Sequence, residues 1–220
     1  MVIGVLAVQG AFAEHEQMLA RLGAESREIR QKKDLEGISG LILPGGESTV
    51  QGQLLEKLEL MEPIRQRILS GMPVMATCAG LILLAEHLEN DPAVHLGTLP
   101  VTVRRNAYGR QTGSFTAEGT FGDMEKVPMI YIRAPYVVSA GADVRILSRD
   151  SEDRITAVRY GNQLGLSFHP ELSADPGIHA YFLEMVRSSS PASSEDTQSP
   201  EAQRKTAGPC LPTSGERRLL

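Results

Sequence analysis

The sequence has no tryptophan, two cysteines and 5% aromatic residues among its 220 positions. Two cysteines, Cys78 and Cys210, are too few for a disulfide framework, so a reducing compartment and a cytoplasmic location are expected. Basic residues are outnumbered, and the formal net charge of −5 argues against a nucleic-acid partner. No apolar run approaches the roughly 18 residues that a spanning helix needs, so no membrane partner is expected.

Composition changes sharply at Ser188. From there to the last residue the chain is rich in Ser, Pro and small polar residues and poor in large apolar ones. Such a segment cannot offset the entropy lost on ordering. The sequence therefore predicts a folded domain over residues 1–187 and a disordered tail over residues 188–220.

Short apolar runs alternate with amphipathic segments in the first half of the chain. The runs predict buried strands at Val2–Val8, Gly40–Leu43 and Pro73–Thr77. Apolar residues at helical spacing predict helices at Ala11–Leu22, Ser48–Leu58 and Pro63–Leu69. This order is typical of a doubly wound, three-layer α/β/α fold built on a parallel sheet.

The second half of the domain changes to a strand-rich pattern with turns between the strands. Predicted strands lie at Thr98–Arg104, Phe115–Phe121, Met129–Ile132, Val144–Ser148, Ile155–Tyr160 and Gln163–Phe168. They indicate an antiparallel extension that makes the sheet mixed. An amphipathic helix at Gly177–Arg187 closes the domain.

Cys78 stands where a predicted buried strand meets a helix, on a sharp turn that raises its side chain above the strand ends. The amides that open the helix favour a thiolate and can donate to an oxyanion, and Gly80 permits close packing. Most free cysteines are simply small buried apolar residues. The turn alone therefore leaves both interpretations open.

A second strand–helix loop reads Pro44-Gly-Gly-Glu-Ser48, in which adjacent glycines let backbone amides face a ligand. Ser48 is expected to cap the helix that follows. The loop lacks the spacing of a phosphate loop. Many strand–helix turns contain paired glycines, so this motif is weak by itself.

A third motif, His169-Pro-Glu171, ends a predicted strand. A thiol nucleophile needs a base, and that base needs a group that fixes its tautomer, so His169 and Glu171 suit these roles. The remaining histidines are predicted to be structural or solvent-facing, without paired features: His15, His87, His95 and His179.

Together, the cysteine turn, the upstream Gly-Gly loop and the His-Pro-Glu motif resemble the class I, triad-type glutamine amidotransferases. Longer stretches resemble the glutaminase subunits of pyridoxal 5′-phosphate synthases more specifically: Gly4–Gly10, Pro44–Thr49, Thr77–Ile82, Arg105–Gln111, Ile132–Pro135 and Ser167–Glu171. The resemblance covers residues 2–187. The sequence departs from the family pattern at Ala76, usually glycine, and at Val50–Gln53, which is more basic in many relatives.

The resemblance implies a role for each matching residue. Cys78 would be the nucleophile, with His169 and Glu171 as its relay partners. Glutamine would bind to Gly46, Glu47, Ser48, Arg105, Ile132 and Arg133. The amide of Ala79 would help to hold the oxyanion, and Gln9 would link the oxyanion hole to a partner interface. For the two arginines a surface ion pair is the plainer alternative.

The activity implied by the resemblance is hydrolysis of L-glutamine, with ammonia passed to a synthase subunit that makes pyridoxal 5′-phosphate. It implies no cofactor and no metal. Two alternatives stay open: the glutaminase subunit of another enzyme, such as imidazole glycerol phosphate synthase, or a non-catalytic interaction subunit with the same fold.

Overall fold

A computed structural model describes residues 1–107 and 113–189. The strands of these residues are β1 (Val2–Leu6), β2 (Glu25–Ile29), β3 (Gly40–Leu43), β4 (Val74–Thr77), β5 (Ala85–Leu88), β6 (Leu99–Arg104), β7 (Ser114–Phe121), β8 (Met124–Ile132), β9 (Tyr136–Ala140), β10 (Arg145–Arg149), β11 (Ile155–Tyr160) and β12 (Gln163–Leu166). The helices are α1 (Phe12–Arg21), α2 (Ser48–Lys57), α3 (Met61–Leu69), α4 (Ala79–Leu84) and α5 (Gly177–Ser189), with 3₁₀ turns at Lys32–Leu35 and Pro170–Leu172.

The main sheet is mixed. Its strands run in the order β2-β1-β3-β4-β12-β11-β9-β6-β5, and β10 pairs with β11 to one side. The first five of these strands are parallel, whereas β12, β11, β9 and β6 pair antiparallel in turn. A separate hairpin joins β7 to β8. The predicted mixed sheet with an antiparallel extension is therefore confirmed.

Apolar side chains alternate between the two faces of the central strands, as their pleat requires. On β4, Val74 and Ala76 join a core formed with α2, α3 and α4. Met75 points to the opposite core, formed with α1, α5 and the β7–β8 hairpin. Helices therefore cover both faces of the sheet, and side chains of β4 alternate between two distinct cores.

Most predicted elements are present with ends shifted by a few residues, and β3 and β11 have the predicted limits. Three strands escaped prediction, namely β2, β5 and β9. The sequence of β2, Glu-Ser-Arg-Glu-Ile, is mostly polar because β2 is an edge strand with alternately exposed residues. Strand β5 is the opposite edge, and its middle residues Glu86 and His87 are exposed.

The described residues form one compact unit, and α5 continues to Ser189. The predicted disorder of residues 188–220 concerns positions that, from 190 onward, lie outside the described residues, as does Cys210. Residues 108–112 of the predicted motif Arg105–Gln111 also lie outside them. Among the helices of the described residues, none is both long and apolar enough to cross a membrane.

Candidate active site

Cys78 occupies a strained turn between β4 and α4. Its φ of 46° and ψ of −99° lie outside the regions that non-glycine residues usually adopt. Its amide donates to the carbonyl of Leu166 over 2.8 Å, which fixes the turn against β12. A Cβ atom on Gly80 would lie 2.2 Å from the carbonyl oxygen of Leu43. Glycine is therefore required where α4 packs on β3, as the sequence predicted.

His169 reaches the cysteine because β12 pairs in parallel with β4. Leu166 is the register partner of Thr77, so the chain leaves both strands at the same sheet edge. His169 is then held by its amide, which donates to the carbonyl of Ile130 over 2.8 Å. Its Nδ1 lies 2.7 Å from Oε1 of Glu171, and both side chains are buried. The structure thus brings the three predicted relay residues together.

Burial and hydrogen-bond partners shift the pKa of His169 in opposite directions. Burial is the largest influence and lowers its pKa, but hydrogen bonds to Cys78 and Glu171 outweigh it and raise the pKa to about 10. The pKa of Glu171 is lowered: burial alone would raise it, but the nearby His15 and the hydrogen bond and charge of His169 prevail. At neutral pH the site therefore holds an imidazolium between a carboxylate and the cysteine sulfur.

The Pro44–Ser48 loop caps α2 differently from the prediction. Glu47, not Ser48, is the N-cap residue, and its carboxylate accepts from the amides of Thr49 and Val50. Ser48 is instead the first residue of α2, and its buried Oγ has no hydrogen-bond partner among the described residues. The longer Glu47 side chain can reach back to these amides, so Ser48 is not needed as the cap.

The segment after β1 is tied to this loop. The Oε1 atom of Gln9 accepts from the amide of Glu47 over 2.9 Å. The Gln51 side chain donates to the carbonyl oxygens of Gln9 and Pro44, at 2.9 and 3.2 Å. Gln9 therefore contacts the loop directly.

A cavity of about 500 Å³ opens above Cys78. Its lining includes Cys78, His169 and eight predicted or neighbouring site residues: Gln9, Gly45, Gly46, Glu47, Ser48, Arg105, Ile132 and Arg133. Glu171 and Ala79 are buried and do not line it. Its size is typical of a small-molecule site.

The two predicted arginines differ in their surroundings. Arg105 contacts Asp91 at 3.2 Å and Glu47 at 3.4 Å, so it forms the expected ion pairs and also lines the cavity. Arg133 is exposed, lines the cavity and has a φ of 44°. Ile132 precedes it, and its carbonyl oxygen lies 3.9 Å from the Cys78 sulfur.

Comparison with known proteins agrees with this geometry. The model of the SNO glutamine amidotransferase family matches residues 5–188. The chain belongs to the SNO glutamine amidotransferase family. This family assignment covers all the residues that form the cavity and the triad.

Proteins similar to this chain align with it over nearly their whole length. "Pyridoxal 5′-phosphate synthase subunit PdxT" of Desulfitobacterium hafniense is 60% identical over 187 residues, which cover 84% of this chain and 94% of the relative. The protein of the same name from Streptococcus pneumoniae is 50% identical over 191 residues, 85% of this chain and 98% of the relative. A crystal structure described as glutamine amidotransferase superposes with a TM-score of 0.81 at 42% identity, covering 85% of this chain and 100% of that one.

The contact between two buried histidines, His15 and His179, was not predicted from the sequence. His15 and His179, which were predicted to be structural or solvent-facing, are both buried in the core, and their ring nitrogens lie 2.9 Å apart. His87 is exposed and His95 is half-buried. The sequence contained a signal for the burial of His15, because it lies three and four residues before the apolar Met18 and Leu19 and therefore on the same face of α1.

Proposed function

We propose that this chain hydrolyses L-glutamine to glutamate and ammonia, with Cys78 as nucleophile. The observation that carries the proposal is the buried His169–Glu171 pair beside a cysteine on a strand–helix turn, at the floor of a cavity. An acid–base residue oriented by a third group is what a thiol nucleophile requires. Family membership supports the same reaction class.

Glutamine would lie with its side-chain amide over Cys78 and its α-carbon toward the mouth of the cavity. Glu47 offers a carboxylate for the α-ammonium group, and Arg105 and Arg133 offer guanidinium groups for the α-carboxylate. The unpartnered Ser48 hydroxyl and the backbone at Gly46 and Ile132 complete the proposed contacts. These assignments rest on the lining of the cavity.

The reaction proceeds in two steps, formation of a thioester and its hydrolysis. The Cys78 thiolate attacks the amide carbon, and the tetrahedral oxyanion is held by backbone amides near Gly46 and Ala79. The C–N bond breaks as His169 gives its proton to the nitrogen, which leaves as ammonia and leaves a γ-glutamyl thioester. Water then attacks the thioester while His169 takes its proton. The C–S bond breaks, the new γ-carboxyl group loses its second water proton to solvent as glutamate leaves, and the thiolate–imidazolium pair is restored.

We further propose that the ammonia is delivered to a synthase subunit that makes pyridoxal 5′-phosphate, in the cytoplasm. The named relatives are pyridoxal 5′-phosphate synthase subunits, and the chain covers 94% or more of the two described. Gln9 supports a link between the partner and the active site because it bonds directly to the Glu47 amide. A reducing compartment also suits a nucleophilic thiol.

The test is transfer of the amide nitrogen. The chain and the synthase subunit of a pyridoxal 5′-phosphate synthase would be supplied with glutamine labelled with ¹⁵N at the amide, and ammonia and product would be measured by mass spectrometry. We expect labelled ammonia and labelled pyridoxal 5′-phosphate, and neither from the Cys78→Ala variant. Labelled ammonia without labelled product, in an assembly that uses free ammonium, would contradict the proposed partner. No labelled ammonia under any condition would contradict glutamine hydrolysis itself.

A further inference from the structure

Two buried histidines extend the triad away from the cavity. His15 on α1 and His179 on α5 are both 0% exposed, and Nδ1 of His15 lies 2.9 Å from Nε2 of His179. Neither residue lines the cavity, and the reaction described above uses neither. Two imidazoles in an apolar core are costly unless their ring nitrogens are satisfied. Their position behind Glu171 suggests what they do.

The carboxylate of Glu171 has one oxygen for each histidine it faces. Its Oε1 bonds to His169, whereas its Oε2 is buried without a hydrogen-bond partner within the usual distance among the described residues. Nε2 of His15 is 3.5 Å from this Oε2. A bare carboxylate oxygen in a core favours an N–H group facing it, and His15 carries the ring nitrogen in that place.

Two tautomeric arrangements of the histidine pair differ in which ring nitrogen is left unsatisfied. If His15 carried its proton on Nδ1, it would donate to Nε2 of His179, and its own Nε2 would turn a lone pair toward the carboxylate. His179 would then carry its proton on Nδ1, the one nitrogen of the two rings that is unpaired within the described part of the chain, as a buried N–H. With both protons on Nε2, His179 donates to His15, and the Nε2–H of His15 lies 3.3 Å from Oγ1 of Thr77 and 3.5 Å from Oε2 of Glu171. The unpaired Nδ1 of His179 is then an acceptor, and leaving a buried acceptor unsatisfied costs less free energy than leaving a buried N–H unsatisfied. The second arrangement is therefore favoured.

We propose that His15 is a positioning residue of the active site: its Nε2–H, fixed by His179, orients the Glu171 carboxylate that in turn orients His169. The inference rests on the proposed glutaminase function and adds two residues to its machinery. His15 acts through Glu171 and touches no substrate. Its effect is on the alignment of His169 toward the Cys78 sulfur.

The same ring nitrogen also connects the triad to the Gly-Gly loop. Nε2 of His15 lies 3.3 Å from Oγ1 of Thr77, and that oxygen accepts from the amide of Gly45 over 2.9 Å. Thr77 lies on β4 immediately before Cys78. His15 is therefore the junction at which Glu171, the nucleophile strand and the Pro44–Ser48 loop meet.

Electrostatics supports a neutral His15 in this role. Burial, the largest influence, lowers the pKa of His15, and the opposing effect of Glu171 does not reverse that shift. Burial and the neighbouring His15 likewise lower the pKa of His179 to about 3. Two neutral rings donate along one direction, from His179 to His15 to Glu171, and add no positive charge that would compete with the His169 imidazolium.

A purely structural role for the histidine pair predicts a different result from a positioning role. If the pair only fills the core, its replacement lowers stability, and any loss of activity follows the loss of folded protein. If His15 positions Glu171, the turnover of fully folded enzyme falls while glutamine binding is unchanged. A side chain that restores the donor then restores turnover.

The experiment compares His15→Leu and His15→Gln in the Cys210→Ser background, each assembled with the synthase subunit. The Gln amide can place an N–H near the position of Nε2, whereas Leu cannot. Thr98→Val is the matched control, because it removes a buried hydrogen bond, the 2.7 Å contact between Thr98 and Gln163, away from the site. Readouts are kcat, KM, the melting temperature and the rate at which iodoacetamide alkylates Cys78.

Loss of the N–H group that faces the Glu171 carboxylate should lower kcat of His15→Leu by about 10- to 100-fold, with KM changed by less than about threefold. We expect His15→Gln to recover most of this loss, and Thr98→Val to retain parental kcat even where it melts earlier. Alkylation of Cys78 should be slower in His15→Leu than in the parent or His15→Gln, because the imidazolium beside the thiolate is less well held.

Parental kcat in folded His15→Leu, or equal losses in the Leu and Gln variants, would overturn the proposal. Failure of the proposed function looks different, since the parent itself would then release no ammonia. The alkylation rates need no glutamine, so they test the His15 inference even in that case.

Discussion

The carbonyl oxygen of Gly45 accepts a hydrogen bond from the amide of Ala11 over 3.0 Å, and Gly10 stands directly beside this contact. The backbone of Gly10 has a φ of 105°, which favours glycine. A Cβ atom there would lie 1.9 Å from the same carbonyl oxygen. The turn after β1 and the loop above Cys78 are thus fitted to each other at backbone level.

Gly10→Ala should therefore displace the Pro44–Ser48 loop and lower glutaminase kcat at least tenfold. Backbone strain of about 1–3 kcal/mol should also appear as a lower free energy of unfolding. Gly23→Ala is the control, because Gly23 has a φ of 69° but a Cβ atom added there would have no described atom within 4 Å. It should carry strain without loss of activity. Unchanged kcat in Gly10→Ala would show that the loop does not depend on this contact.

Replacement of the nucleophile and its base should abolish turnover without unfolding the protein. Cys78→Ala and His169→Asn should each lower the rate by about 10³-fold or more, as is usual for members of a covalent relay. Ammonia release, with circular dichroism to establish folding, measures this. Cys210→Ala is the matched control and should have no effect. Labelling of Cys210 in place of Cys78 by a diazo ketone analogue of glutamine would contradict the assignment.

Gln9→Ala should reduce the stimulation of glutaminase by the synthase partner. The Gln9 side chain holds the Glu47 amide, and the adjacent glycines allow the loop to change its backbone conformation when a partner docks. Gain of one oxyanion donor is worth roughly 10²–10³ in rate, so the parent should be stimulated mainly in kcat. Steady-state kinetics with and without the partner measure this effect. Equal kcat for the free and partnered parent would contradict the mechanism.

Acid should destabilise the protein through its buried neutral histidines. The pKa of His179 is lowered to about 3, chiefly by burial, whereas in the unfolded chain it is near 6.5. Between these values only the unfolded state takes up the proton, so this contribution to stability is complete above pH 6.5 and is lost as the pH falls toward 3. Each titrating group contributes a slope of up to about 1.4 kcal/mol per pH unit.

Urea unfolding at several pH values between 6.5 and 4 would measure that slope. We expect His179→Leu to have a shallower pH dependence than the parent, whatever its stability at neutral pH. His87→Gln, at an exposed position of β5, should leave the slope unchanged. An identical slope in His179→Leu and the parent would show that His179 does not stay neutral in the folded state.

Removal of residues 190–220 should leave folding and glutaminase activity unchanged. The composition changes at Ser188, and α5 closes the compact unit at Ser189. A marked fall in the melting temperature of the shortened protein would show that the tail stabilises the domain.

Local patterns in the sequence were sufficient for most of the fold and for the turn and motif that carry Cys78, His169 and Glu171. The apolar runs predicted β1, β3 and β4 because buried parallel strands need apolar residues on both faces. Cys78 and the His-Pro-Glu motif could be identified because each lies at a boundary that the sequence marks. Cys78 lies at a strand–helix turn, and a proline follows His169 at the end of a strand. Edge strands such as β2 were missed because one exposed face removes the apolar signal.

Only the tertiary structure decided which side chains meet. The pairing of β4 with β12 brings Cys78 to His169, and no local pattern specifies which strands become neighbours. Likewise, the hydrogen bond between His15 and His179 joins residues 164 positions apart on two separate helices. The capping of α2 by Glu47 instead of Ser48 depended on the exact backbone path of the loop. Sequence determines the chemical groups and the elements that carry them, whereas packing across the sheet determines their distances, burial and protonation.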